Sequence, residues 1–192
     1  ATFFELSRPS FIVKNETYGG LEFKASLGNN AVFLADFDYG QTEDRYYQTE
    51  NFTVEDTADY TEFTLGTIGI GIDRNTLNRK IYPNHGTQLK ISARGVIGEE
   101  FTQYGTTNDV FDFRDDHSWV EARLEYENYF AHFGPIDVGM KLDAVYSTKP
   151  FFENYTASLI SAPAYTPIPE SRTIFLDDFR ANEYAALGLK TV

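Results

Sequence analysis

Cysteine is absent from the 192 residues, which removes thiol catalysis, disulfide cross-links and cysteine-held zinc together. Long apolar runs are absent as well. The longest covers residues 31–35, far short of the ~20 residues that a membrane-crossing helix needs. Basic side chains are scarce: 16 Lys and Arg face 29 Asp and Glu, a net charge of −13, so nucleic acid is not an expected partner. The opening Ala1-Thr2-Phe3-Phe4-Glu5 lacks the basic-then-apolar layout of a signal peptide. Catalytic signatures are missing too, with no Gly-x-Ser-x-Gly elbow and no phosphate-cradling glycine loop. The three histidines, His85, His117 and His132, form no metal-binding pair of the His-x-x-x-His kind. No active site, metal or cofactor is therefore expected in this chain.

What is present is aromatic and alternating. Phe (17) and Tyr (13) dominate an aromatic share of 16%, and such residues suit pleated surfaces. The hydrophobic pattern runs at a period of two rather than 3.6. Leu21, Phe23, Ala25 and Leu27 oppose Glu22, Lys24 and Ser26; Phe33, Ala35, Phe37 and Tyr39 oppose Leu34, Asp36 and Asp38. Asn29-Asn30 between them reads as a tight hairpin. Leu89, Ile91 and Ala93 continue the theme, and residues 62–73 read as a further strand. The sharpest case sets Val120, Ala122, Leu124 and Tyr126 against Glu121, Arg123, Glu125 and Glu127. Ile136, Val138, Met140, Leu142 and Ala144 then oppose Asp137, Gly139, Lys141 and Asp143.

Short connections alternate with long polar ones, expected at 41–60, 98–117 and 147–179. Tight turns at one end and long loops at the other describe an outer-membrane barrel. A soluble sandwich also alternates, with its apolar face turned inward, so alternation alone leaves both folds open. Length favours the barrel: residues 119–131 hold the pattern over 13 positions and 136–146 over 11, against ~5–6 residues for an ordinary strand and ~9–11 for a transmembrane one. Tyr18, Tyr39, Tyr46, Tyr47, Trp119, Tyr126, Tyr129, Tyr146 and Tyr184 are expected near strand ends, as in an interfacial girdle. Glu121, Arg123, Glu125, Glu127, Lys141 and Asp143 are expected to face a wet lumen, and Asp36 and Asp38 read as lumen lining rather than paired catalytic acids. Asp115-Asp116-His117 reads as a polar loop tip. Residues 181–190 fit a strand or a short amphipathic helix.

Three stretches together carry a resemblance. They are residues 73–86, with Pro83 and Gly86 bracketing a turn, followed by the strand 87–97; Arg8-Pro9-Ser10-Phe11 leading to Tyr18-Gly19-Gly20; and residues 152–157, 161–165 and 175–181. Their order and spacing resemble the C-terminal Omp85-type (surface antigen) barrel of Bacteroidetes patatin-like phospholipases. The resemblance implies an all-β antiparallel transmembrane barrel, about eight of whose strands lie in this chain. It implies a cell outer-membrane location, outer-membrane lipid as a partner, and residues 1–192 as one region of a larger barrel. It also implies that Arg180 sits in a loop folded into the lumen, and that the barrel anchors and translocates an attached patatin-like serine lipase domain holding the catalysis. A soluble secreted sandwich binding glycans, or a simple diffusion pore, are the competing expectations.

Overall fold

The computed structural model describes residues 13–47, 53, 55–106, 112–153, 157–158, 162–166 and 180–192. Within them the chain forms seven strands: β1 (Val13–Gly28), β2 (Ala31–Tyr46), β3 (Asp59–Asn75), β4 (Gly86–Gln103), β5 (Asp112–Phe133), β6 (Ile136–Ser147) and β7 (Glu183–Thr191). They make one antiparallel sheet in sequential order, β1 to β7. Among the described residues the sheet is open and does not close into a barrel, and it holds seven strands where about eight were expected.

Turn chemistry sets the lower end of this sheet. Asn29 and Asn30 both take positive φ (50° and 62°), the geometry of the two-residue hairpin turn whose twist matches its flanking strands. Gly134 takes φ 61° between β5 and β6. The β3–β4 connection is longer and is pinned by side chains. The Asn78 amide oxygen accepts from the backbone N–H of Asn84 (3.2 Å) and His85 (3.3 Å). Pro83 is buried, and Gly86 has φ 101°, with the Thr76 carbonyl where a Cβ would fall. Only glycine enters that position without strain.

Two expected loops are largely strand. β2 runs on to Tyr46 and β3 begins at Asp59, so the 41–60 connection shrinks to 47–58. β4 reaches Gln103 and β5 begins at Asp112, which reduces 98–117 to 104–111. The reason lies in the side chains: above the apolar stretch both faces turn polar, so hydrophobic alternation fades while the ladder continues. The third connection, expected at 147–179, does begin as β6 ends at Ser147; of it, 154–156, 159–161 and 167–179 lie outside the described residues. Residues 181–190 fall mainly in β7, so the helical alternative fails there.

The two faces differ in exposure. One face of every strand, here the open face, carries exposed apolar side chains; the other, the sheltered face, carries polar ones. β3 shows the rule: Asp59, Thr61, Phe63 and Thr67 are buried, whereas Ile68 and Ile70 are exposed. The small core sits on the sheltered face near the upper, long-loop end, where Tyr46, Phe63, Val96, Phe152 and Ala157 pack with Leu65 and Trp119. Phe152 comes from the segment after β6, which folds back over the strands there. Phe63 stacks on Trp119 at 5.5 Å and meets Phe152 at 5.1 Å.

Candidate functional site: an apolar belt backed by a ladder of charges

The belt is a direct product of register. Phe23 pairs with Ala35, and Ala35 with Ile70; Ile70 pairs with Ala93, and Ala93 with Ala122. Ala122 pairs with Tyr146 at the upper limit, while Leu124 with Ala144 and Tyr126 with Leu142 carry the row across to Leu187 of β7. Apolar groups thus fall at one height on all seven strands. On β4 the belt runs from Leu89 to Ile97, which at ~3.3 Å per residue and a tilt of ~40° is about 20–25 Å tall. Its members are left bare: Leu21, Phe23, Phe37, Ile68, Ile70, Ile91, Ile97, Val120, Phe130, Leu187 and Leu189 are all at least half exposed. No second sheet packs on them among the described residues. Burying one such side chain is worth ~1.5–3 kcal/mol, so leaving the belt in water forgoes on the order of 20 kcal/mol. Above it the open face turns polar, with Glu62 on β3, Glu99 on β4, and Asp116 and Arg114 on β5.

Behind the belt, the six lumen candidates all lie on the sheltered face. Arg123 grips Asp143 with two bonds, Nε at 3.2 Å and Nη2 at 2.8 Å, and reaches Glu125 at 3.3 Å. Asp143 is fully buried, so this forked pairing is what makes its charge tolerable there. Glu125 also meets Lys90 at 3.7 Å. Glu127 accepts from Lys190 at 2.8 Å and from the Tyr129 hydroxyl at 3.0 Å. Glu121 stands opposite Arg94 of β4 and Ser147 of β6. Lys141 donates to the Thr166 carbonyl at 2.9 Å and lies over the Tyr165 ring. Asp36 and Asp38 share the face, near Arg94 (3.7 Å) and the Thr67 hydroxyl (3.4 Å). Opposite charges face each other at Asp73–Lys90–Glu125, Arg94–Glu121 and Glu127–Lys141, while Glu125 and Asp143 stand side by side with Arg123 reaching both.

Arg180 is positioned by the segment it belongs to. It bridges to Ala164 in antiparallel fashion, and its Nη1 donates to the Ala162 carbonyl at 3.2 Å. On the wall itself Arg123 grips Asp143. The segment itself lies on the sheltered face, since Lys141, Tyr184 and Asn182 donate to Thr166, Ala164 and Lys149 carbonyls.

Sequence reasoning missed the upper part of this face. There the Tyr46 and Thr61 hydroxyls meet at 2.9 Å, Thr61 and Thr102 at 3.0 Å, and Thr102 donates to Glu100 at 2.8 Å. His117 Nε2 meets the other Glu100 oxygen at 2.6 Å, and the Glu153 backbone N–H donates to the same carboxylate at 3.2 Å. Glu100 is completely buried. Beside it Lys149 lies over Phe152 (4.4 Å) and Trp119 (5.1 Å). Burial lowers the Lys149 ammonium to about 8, because desolvation penalises its charged form. The legible signal was the two-residue spacing of Glu100 with Thr102 and of His117 with Trp119. Asp115-Asp116-His117 is therefore no loop tip but part of β5, with Asp116 on the open face and His117 on the sheltered one.

Aromatic placement also departs from expectation. Tyr39 and Tyr146 mark the upper limit of the belt. Tyr18, Tyr46, Trp119, Tyr129 and Tyr184 instead point to the sheltered face, and Tyr126 sits within the belt. Tyr18 lies over Gly40 and Tyr129 over Gly139, where any Cβ would overlap the ring. These rings brace the wall rather than ringing an interface. Tyr47, just past β2, donates to the Asp56 carbonyl at 3.0 Å.

No group of three or more His, Cys, Asp or Glu side chains fit to hold a metal occurs among the described residues. Compared with known proteins, the chain matches no family model, no curated protein and no solved structure.

Proposed function

We propose that this chain is part of a transmembrane β-barrel of a Gram-negative outer membrane, its open face meeting acyl chains and its sheltered face lining the lumen. The observation that carries the reading is the inversion of the sheet behind the belt: the bare face is apolar, and the sheltered face is charged below its small upper core. In a soluble sandwich the apolar face meets a second sheet, and a glycan-binding module of that kind has no use for a belt this wide. Belt height and the split between tight lower turns and longer upper connections also fit a barrel wall.

Strand direction adds a constraint. β1 and β7 run the same way, so they cannot pair with each other in an antiparallel barrel. Closure takes an odd number of further strands from outside the described seven, which agrees with a larger Omp85-type wall. A barrel also removes the exposed edges of β1 and β7, which otherwise invite aggregation.

As to its role, the barrel anchors, and by the same scaffold translocates, an attached patatin-like phospholipase domain. This part rests on the sequence resemblance, and the catalytic residues belong to that domain. A free diffusion pore fits less well, because the segment bearing Lys149, Phe152 and Tyr165 lies against the sheltered face. The test is extraction and migration: the full protein is expected to need detergent and to migrate differently on a gel before and after boiling. A monodisperse monomer in plain buffer would contradict the membrane reading.

A further inference from the structure

Among the described residues the sheet buries four acids, Asp44, Asp59, Glu100 and Asp143. Three of them are met by donors. Asp143 has the Arg123 fork, Glu100 has Thr102, His117 and the Glu153 N–H, and Asp59 accepts from the Gly105 N–H at 2.7 Å. Asp44 is the exception: it is 3% exposed, yet its Oδ1 reaches no hydrogen-bond partner. Lys14 stands opposite it on β1, but that ammonium goes to Glu16 at 2.5 Å. A buried acceptor left in this state costs ~1–3 kcal/mol, and more when charged, so the position suits a donor brought from outside.

A hollow of about 200 Å³ lies against this carboxylate on the sheltered face. Register explains the space. Thr42 is a small side chain set between Glu16 of β1 and Phe63 of β3, and Lys149 and Phe152 close the hollow from the segment after β6. The mouth is on the β1 side, where Lys14, Glu16 and Tyr18 are exposed. Pockets for drug-sized molecules run to ~300–1,000 Å³, so this one admits something smaller, of the size of a single sugar ring.

The lining selects the chemistry. Lys14 and Lys149 bring two positive charges, Glu16 and Asp44 two negative ones, so a ligand with net charge of either sign meets like charge. The aromatic corner that attracts an ammonium is already filled, since Lys149 lies over Phe152 at 4.4 Å and Trp119 at 5.1 Å. A neutral molecule carrying hydroxyls fits what is left. One hydroxyl can donate to Asp44 and accept from a lysine at once. The Tyr18 ring, half exposed where it lies over Gly40, offers a face to apolar C–H surface.

We propose that this hollow binds a neutral monosaccharide unit, with Asp44 accepting from a ring hydroxyl and Tyr18 lying against the apolar face of the sugar. The site belongs to the sheltered face and does not depend on what the open face meets.

The single tryptophan of these 192 residues, Trp119, lines the hollow, so its fluorescence reports occupancy. The full protein in detergent is titrated with glucose, galactose and N-acetylglucosamine, and at least one is expected to change the emission saturably. Trp119→Phe is expected to remove that signal, which ties it to this place. Asp44→Ala is expected to weaken the sugar by about ten-fold or more. Thr42→Phe, which fills the hollow without touching a charge, is expected to abolish binding even if Asp44→Ala does not fold. Glu22→Gln, lower on the same face of β1, leaves binding intact. No saturable change with any of the three sugars would overturn the site, as would a sugar response that survives Thr42→Phe in a variant migrating like wild type. A stronger response to glycine or tetramethylammonium would overturn the choice of a neutral ligand. The expected sugar response in a protein that proves monodisperse in plain buffer would support the site and contradict the membrane reading alone.

Discussion

The lower and upper halves of the sheltered face bury charge by different routes. In the lower half three acids find a cation across the ladder: Asp143 with Arg123, Glu125 with Lys90, Glu127 with Lys190. In the upper half Glu100 is satisfied by Thr102, His117 and the Glu153 backbone N–H, beneath a lid of Phe152 and Trp119. Cations thin out toward the top, so donors of another kind replace them. The lower half is a row of ion pairs that runs from fully buried Asp143 to partly exposed Lys90; the upper half is a small packed core built on the same face. The comparison teaches that one alternating pattern can hold two kinds of interior, chosen by what the strands carry between their apolar positions.

The largest expected effect lies in the lower half. Arg123→Ala leaves Asp143 buried without its forked partner, and stability against urea in detergent is expected to fall by ~3–5 kcal/mol. A loss under 1 kcal/mol would mean that Asp143 is solvated after all. In the upper half Phe152→Ala empties the space over the stacked Phe63 and Trp119 rings, with an expected loss of ~3 kcal/mol. Protease should then cut within 148–153, and an unchanged digest would show that this segment is held by something other than its aromatic ring.

Lys149 sharpens the comparison through pH. Burial holds its folded value at about 8, below the ordinary 10.5, so the unfolded chain binds more protons between these limits. Stability therefore rises with pH there. Wild type is expected to gain on Lys149→Met as pH goes from 8 to 10, by up to about 3 kcal/mol, and a flat difference would place the ammonium in water. The smallest effect is expected at the solvent side of the ladder. Lys190 and Glu127 are partly exposed and Tyr129 still donates to Glu127, so Lys190→Ala should cost only ~0.2–1 kcal/mol.

Much of this fold was legible where apolar and polar residues alternate strictly. The alternation of Val120 to Glu127 on β5 and of Ile136 to Ala144 on β6, and the Asn29-Asn30 hairpin, all follow from spacing and turn chemistry. The strand continuations through Thr42, Asp44, Thr102 and His117 were not, because polar groups occupy both faces there and their burial depends on long-range pairing. The tyrosines misled for a related reason. A ring at a strand end and a ring lying over a cross-strand glycine look alike in sequence, and only register separates Tyr39 from Tyr18.

The central claim is that Ile70 looks into hydrocarbon while Ser92, one strand away on the other face, looks into water. Spin labels placed singly at Ile70→Cys and Ser92→Cys in the full protein in vesicles, probed with dissolved oxygen and a water-soluble nickel chelate, test it most directly. The account predicts relaxation by oxygen at position 70 and by nickel at position 92; nickel reaching position 70 as readily as position 92 would contradict it.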